Sequence, residues 1–249
     1  MFINNINPDL VSVGPFSIRF YGIVYALGFI LLTYILSKNA HKIKNLNKDK
    51  AVDVIIYMLV FGLIGARLVH VITDFPLYAN NLLGVFAIWN GGLAFHGGIL
   101  GGVLAVYFYC KKHKVSMMHI LDTLSVPFPL ILVFGRIANF MNSEHIGTAT
   151  NLPWCVVYQK IDDVCRHPAQ LYESFSMLVL FGMMLYLNRR KRKHGFLIWS
   201  FIAGYSILRL ITEFFRAPLY VDVLGLSLVQ LLSISLLGLS IYQLYKLKK

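Results

Sequence analysis

The chain has 249 residues, 57% of them apolar and only 14% charged, with a formal net charge of +12. A soluble domain carries about 25% charged residues, so a soluble globular fold is excluded. The positive excess is not a nucleic-acid signal either. Most lysines and arginines stand in four short clusters between apolar runs, and that pattern reports membrane topology.

Residues 1–15 are mixed, and Pro8 and Pro15 discourage a continuous helix. A first apolar span is predicted over about 16–36, close to the ~20 residues that cross a bilayer. It lacks a basic leader and a small-residue cleavage site, so it is read as an uncleaved span. Lys38, Lys42, Lys44, Lys48 and Lys50 follow it. The second span, about 51–73, ends at Asp74-Phe75-Pro76. A non-basic loop leads to the glycine-rich stretch 90–98 and a third span, about 93–110, closed by Lys111-Lys112-His113-Lys114. The fourth span, about 117–141, carries Pro127 and Pro129, and residues 142–169 are polar enough for a small ordered cap outside the membrane. Spans of about 169–187, 196–215 and 227–245 complete the chain, the fifth and seventh followed by basic clusters.

The clusters thus follow spans one, three, five and seven. The positive-inside rule places all four in the cytoplasm. The expected fold is a single all-α integral membrane domain of about seven transmembrane helices. Its N-terminus is outside, its C-terminus is cytoplasmic, and loops 74–92, 142–169 and 216–226 lie on the outer side.

Polar residues then acquire depths at about 1.5 Å per helical residue. Counted from the cytoplasmic ends, Arg67 comes out about 22–24 Å up, Arg136 about 28 Å and Arg209 about 20 Å. Glu213 and Arg216 lie just above Arg209, and Tyr21 and His96 fall in the outer third. Intramembrane charges are costly and mark functional sites, and several at one level predict an anion pocket in the outer half of the membrane. The stretch 135–147 is its centre: Arg136, Asn139 and Ser143 share a helical face with Asn142 beside it. A guanidinium fork with amide donors suits a phosphate, and lipid phosphates are the abundant anions there. His96 is the one histidine expected at this level, and histidine is the usual general base near neutral pH. A transporter of anions would carry polar groups through the full depth, whereas here the inner half is apolar.

Several blocks resemble the bacterial phosphatidylglycerol:prolipoprotein diacylglyceryl transferase family. They are Phe20-Tyr21-Gly22, Gly65-Ala66-Arg67, the run from Gly91 to Gly98, the run from Gly135 to Gly147, the run from His167 to Ser174, and the run from Arg209 to Arg216. The resemblance implies transfer of a diacylglyceryl group from phosphatidylglycerol to the lipobox cysteine of a prolipoprotein, with release of glycerol 1-phosphate. This is the first step of bacterial lipoprotein maturation, in the inner membrane and facing its outer leaflet. Carried over, Arg136 binds the lipid phosphate, with Asn139, Asn142, Glu144 and Gly147 supporting its glycerol and the loop. Arg209 stabilises the leaving group and His96 is the candidate base. Tyr21, Glu213 and Arg216 order the site, and Arg67 is counted among the substrate-binding residues. The implied partners are phosphatidylglycerol, prolipoprotein lipobox peptides and membrane lipids, with no nucleic acid, no cofactor and no metal.

The segment after Arg67 departs from the family in lacking tyrosines near its end, and His70 there is read as packing or interfacial. Cys155 and Cys165 fall in the outer segment, where they can pair or stay as two thiols. Their spacing is not that of a zinc site.

Overall fold

The computed structural model describes residues 2–7, 9–13, 16–79, 81–88, 91–217 and 225–249. Most of the predicted outer loop 216–226 falls outside them. Among the described residues eight α-helices follow the apolar runs: α1 (Phe20–Asn39), α2 (Lys48–Thr73), α3 (Phe95–His113), α4 (Met117–Ser125), α5 (Phe128–Met141), α6 (Ala169–Asn188), α7 (Phe196–Glu213) and α8 (Leu228–Lys248). Five are long and apolar enough to cross a membrane, and six if α4 and α5 form one bent span. Their outward faces are apolar. On α2 alone Ile56, Val60, Ile64 and Leu68 are exposed, a surface that lipid rather than water solvates. The protein is an all-α, multi-pass membrane protein whose short strands, among the described residues, lie before the first helix and between α5 and α6. α3 has 19 residues, enough to span, but four glycines, His96 and Lys111-Lys112 leave it less apolar than the rest. A seven-crossing topology rests on counting it.

The fourth predicted span is broken. α4 and α5 meet at 51°, with Pro127 at the junction and Pro129 in the first turn of α5. A proline removes a backbone donor and pushes the preceding residue away from helical conformation, which accounts for the break.

The helices group into two compact units, residues 1–30 with 121–249, and residues 31–120. In the second unit α2 packs along α3 through glycines. A methyl added at Gly65 would strike the Gly97 carbonyl oxygen, and one at Gly101 would strike that of Phe61. Close backbone approach of this kind is how apolar helices associate in lipid.

In the first unit α6 is central. Val133 of α5 and Met177, Leu180 and Met184 of α6 form a buried cluster against Leu197, Phe201, Tyr205 and Leu208 of α7, and α8 packs on α7. Asp122 caps a helix other than its own. From α4 it accepts hydrogen bonds from Gly195 N (2.6 Å) and Ile198 N (2.8 Å), at the start of α7. It thereby satisfies two of the free donors of that helix and complements its dipole.

Strands form where none was expected. β2 (Asp9–Val13) and β3 (Phe16–Arg19) are antiparallel, so the first helix starts at Phe20 and not near residue 16. β1 (Phe2–Asn4) runs parallel to β4 (Val156–Tyr158), which pairs with β5 (Cys165–Arg166). The segment between α5 and α6 is therefore ordered, and the N-terminal strand completes it. Asn4 is fully buried and donates to the Phe140 carbonyl at 2.7 Å, which ties this sheet to the end of α5. Cys155 and Cys165 are disulfide-bonded, with Cα atoms 5.4 Å apart, and brace the β4–β5 hairpin.

Candidate active site

The run from Arg136 to Gly147 does not stay helical to Ser143. α5 ends at Met141, and the chain then takes left-handed conformations at Ser143 (φ 57°) and His145 (φ 55°). Such values are uncommon for residues with a Cβ and persist where the surroundings hold them. Here the loop folds back on its helix, with Glu144 N donating to Asn139 O at 2.9 Å. Asn139 Nδ2 donates to one Glu144 carboxylate oxygen (2.8 Å) and Asn142 Nδ2 to the other (3.2 Å). Gln170 Nε2 holds the Glu144 carbonyl (2.5 Å) and its own Oε1 accepts from the buried Tyr158 hydroxyl (2.8 Å). The β4 strand thus supports the loop through Tyr158 and Gln170.

Gly147 is buried where three segments meet. It forms an antiparallel bridge with Arg216, and a Cβ there would strike the His167 carbonyl. Glycine is required by that close approach. Arg166 donates to the Gly147 carbonyl at 3.3 Å while gripping Asp162 through two nitrogens, and this hydrogen-bonded pair holds the Asp162 carboxyl below the ordinary carboxylate range.

Three of the predicted arginines converge within the first unit, from α5, α7 and the turn after α7. Their common partner is Glu173 of α6, whose side chain is 4% exposed. Arg136 Nε lies 2.7 Å from Glu173 Oε2, an ion pair rather than an aligned hydrogen bond. Arg209 Nη1 donates to Oε1 at 2.7 Å, and Arg216 Nη1 stands 3.8 Å from the same oxygen. Arg209 Nη2 pairs with Glu213 at 2.6 Å, and Glu213 accepts from Ser227, the N-cap of α8, at 3.0 Å. Arg136 also donates to Asn139 Oδ1 at 3.3 Å. Tyr21 and Tyr205 lie within electrostatic reach of Arg136, and the Tyr25 hydroxyl donates to that of Tyr21 at 3.0 Å.

Arg216 is the least neutralised of the three. Its Nε is buried without a hydrogen-bond partner among the described residues, and desolvation, then Arg209, lower its pKa. Its Nη2 contacts His145 Nδ1. Desolvation, then Arg216 and Arg136, push the His145 imidazole down to about 4, so it is neutral at ordinary pH and can accept from the guanidinium. The expectation that His96 alone brings a histidine to the arginines is therefore corrected by His145.

Arg67 and His96 belong to the second unit. Arg67 is 6% exposed, and its guanidinium is engaged by backbone carbonyls. Nε donates to Val85, Nη1 to Gly91 and Gly92, and Nη2 to Gly84 and Ala87, at 2.6 to 3.3 Å. Those bonds shape the loop over a cavity of about 320 Å³ lined by Arg67, His70, Tyr78 and Gly92. His70, read as packing or interfacial, places Nδ1 3.0 Å from the Asp74 carboxylate. His96 is exposed in the first turn of α3.

The arrangement gathers guanidinium donors from α5, α7 and the turn after α7 around one buried carboxylate. Two contributors were not singled out from the sequence. Glu173 stood in the run from His167 to Ser174 without a role. The same depth arithmetic sets it one turn inside the start of α6, at the level of Arg209. His145 sits inside the central motif, but only the left-handed loop turns it towards Arg216.

The chain is similar to curated proteins along nearly its whole length. A family model described as prolipoprotein diacylglyceryl transferase matches residues 8–246. A phosphatidylglycerol–prolipoprotein diacylglyceryl transferase of Legionella pneumophila (strain Corby) is 37% identical over 247 residues, covering 96% of each chain. Proteins of the same name from Wolbachia pipientis (36% identical, 96% of this chain and 94% of that one) and Geobacter sulfurreducens (36%, 86% and 84%) agree. The matched region contains every arginine and carboxylate of the cluster, and the chain belongs to the prolipoprotein diacylglyceryl transferase family.

Proposed function

We propose that this protein transfers the diacylglyceryl group of phosphatidylglycerol to the thiol of a prolipoprotein lipobox cysteine, the first step of bacterial lipoprotein maturation. A sulfur–carbon bond forms at the glycerol carbon of the diacylglyceryl group, and the bond from that carbon to the phosphate oxygen breaks. The thiol proton passes to a base, and glycerol 1-phosphate leaves. Thiolate character and stabilisation of the departing phosphate are what such a displacement needs.

The observation that carries this reading is the meeting of Arg136 from α5, Arg209 from α7 and Arg216 from the turn after α7 on the buried Glu173 carboxylate. Preorganised guanidiniums away from water act strongly on developing phosphate charge. Arg136 binds the phosphate, with Asn139, Asn142, Glu144 and Gly147 shaping the loop around the headgroup glycerol. Arg209 stabilises the leaving phosphate, with Glu213 and Arg216 ordering it. Tyr21 lies within electrostatic reach of Arg136, Arg67 shapes the second unit's loop, and His96 takes the thiol proton. In the proposed topology seven crossings put the N-terminus outside the inner membrane, and the site opens towards the outer leaflet.

Complementation tests this. In a bacterium depleted of its own diacylglyceryl transferase, expression of the wild-type chain restores growth and lipoprotein lipidation, whereas Arg209→Ala, present in the membrane at equal level, does not. Restoration by Arg209→Ala would remove the arginine from the chemistry.

A further inference from the structure

Glu173 touches all three arginines, and the transfer reaction assigns it no step. Its two oxygens take the Arg136 Nε and the Arg209 Nη1, each at 2.7 Å, and Arg216 Nη1 stands 3.8 Å away. Such a carboxylate competes for the donors a phosphate would use. It also subtracts a full charge at the centre of the cluster, where the low exposure of Glu173 and Arg209 weakens solvent screening.

We propose that Glu173 sets the anion affinity of the cluster and keeps it low enough for the phosphate product to leave. The inference rests on Arg136 and Arg209 being phosphate ligands. Substrate and product differ in charge. A phosphodiester carries one negative charge, whereas a phosphate monoester carries about 1.5 to 2 at neutral pH. Unopposed positive charge therefore favours product over substrate, and three arginines without a central counter-charge would make a product trap. Glu173 acts through Arg136 and Arg209, holding their guanidinium planes and moderating their field, so it is a positioning residue and not a catalytic one.

The test is Glu173→Gln in purified full-length protein, assayed with phosphatidylglycerol in detergent, a lipobox peptide and added glycerol 1-phosphate as inhibitor. The expected result is a fall in the inhibition constant of glycerol 1-phosphate on the order of tenfold. The KM for phosphatidylglycerol falls less, and kcat falls because release slows. A residue that merely holds helices together would give an unchanged or weaker inhibition constant with a higher KM, and that result overturns the proposal. Removing one partner of a buried ion pair can prevent folding. Glu173→Asp then serves, because it keeps the charge but withdraws it by one methylene, and the same signs are expected at smaller size. Unchanged or weakened product inhibition in Glu173→Asp counts against the proposal equally. Arg136→Ala and Arg209→Ala separate the two levels, read by protection from thermal unfolding by glycerol 1-phosphate. Protection lost in both supports the phosphate site. Protection retained in both means that the site assignment has failed, and the Glu173 proposal falls with it.

Discussion

Arg136→Lys keeps the charge and removes the geometry, so it isolates what the guanidinium does. In the structure Arg136 uses Nε on Glu173 and Nη1 on Asn139, which leaves the remaining face of the fork for a phosphate. A lysine ammonium has three donors on one nitrogen and cannot span those positions at once. Losing one charge-assisted hydrogen bond costs about 1.5–3 kcal/mol. If that bond is made to the phosphate in the transition state, kcat/KM falls about 10- to 150-fold. Because the charge is retained beside Glu173, the detergent-solubilised protein should unfold within a few degrees of wild type. The assay is the initial rate of peptide lipidation at varied phosphatidylglycerol, with thermal unfolding measured on the same preparation. A folded Arg136→Lys within threefold of wild-type kcat/KM would refute the claim that the fork matters beyond its charge.

Other outcomes follow from single contacts. Asp122→Ala leaves Gly195 N and Ile198 N without their acceptor; it should lower unfolding stability by about 1–3 kcal/mol, with KM for phosphatidylglycerol unchanged in the folded fraction. The disulfide closes a segment of sequence separation 10. Its removal by Cys155→Ser with Cys165→Ser should cost about 2–3 kcal/mol by the chain-entropy relation, read as a lower unfolding temperature that reductant reproduces in wild type. Gly147→Ala puts a methyl into the His167 carbonyl, so both lipidation rate and stability should fall, and an unaffected variant would contradict the packing described. For His145 the folded pKa is depressed, from 6.5 to about 4. Its contribution to stability is therefore present above pH 6.5 and is lost as pH falls from there through about 4. His145→Gln should flatten the pH dependence of unfolding in that window.

Much of this was legible in the sequence because lipid imposes strong rules. Apolar runs of spanning length gave the helices, and charges inside them stood out against hydrocarbon. Depth arithmetic on Arg136, Arg209, Glu213 and Arg216 brought together residues that the structure also brings together. The same arithmetic on α6 would have added Glu173, but a carboxylate near a helix start reads as a dipole partner until its neighbours are known. The strands were less accessible. Val11-Ser12-Val13 and Phe16-Ser17-Ile18-Arg19 do alternate apolar and polar residues, a period-two signal hidden by the adjoining apolar run. β1 pairs with β4 across most of the chain, Phe2 opposite Val156, and no local pattern reports a partner that distant. The five carbonyls around Arg67 are equally silent, since a backbone oxygen belongs to every residue and only the fold selects which ones converge.

Diacylglyceryl transfer by the arginine cluster can be read directly. The most direct measurement incubates the purified protein with phosphatidylglycerol in detergent and a lipobox peptide, following peptide mass and glycerol phosphate release together. The expected result is a mass gain of one diacylglyceryl group with equimolar glycerol 1-phosphate, both abolished by Arg136→Ala and by Arg209→Ala in folded protein. An unmodified peptide in the presence of protein that binds phosphatidylglycerol through Arg136 would contradict it.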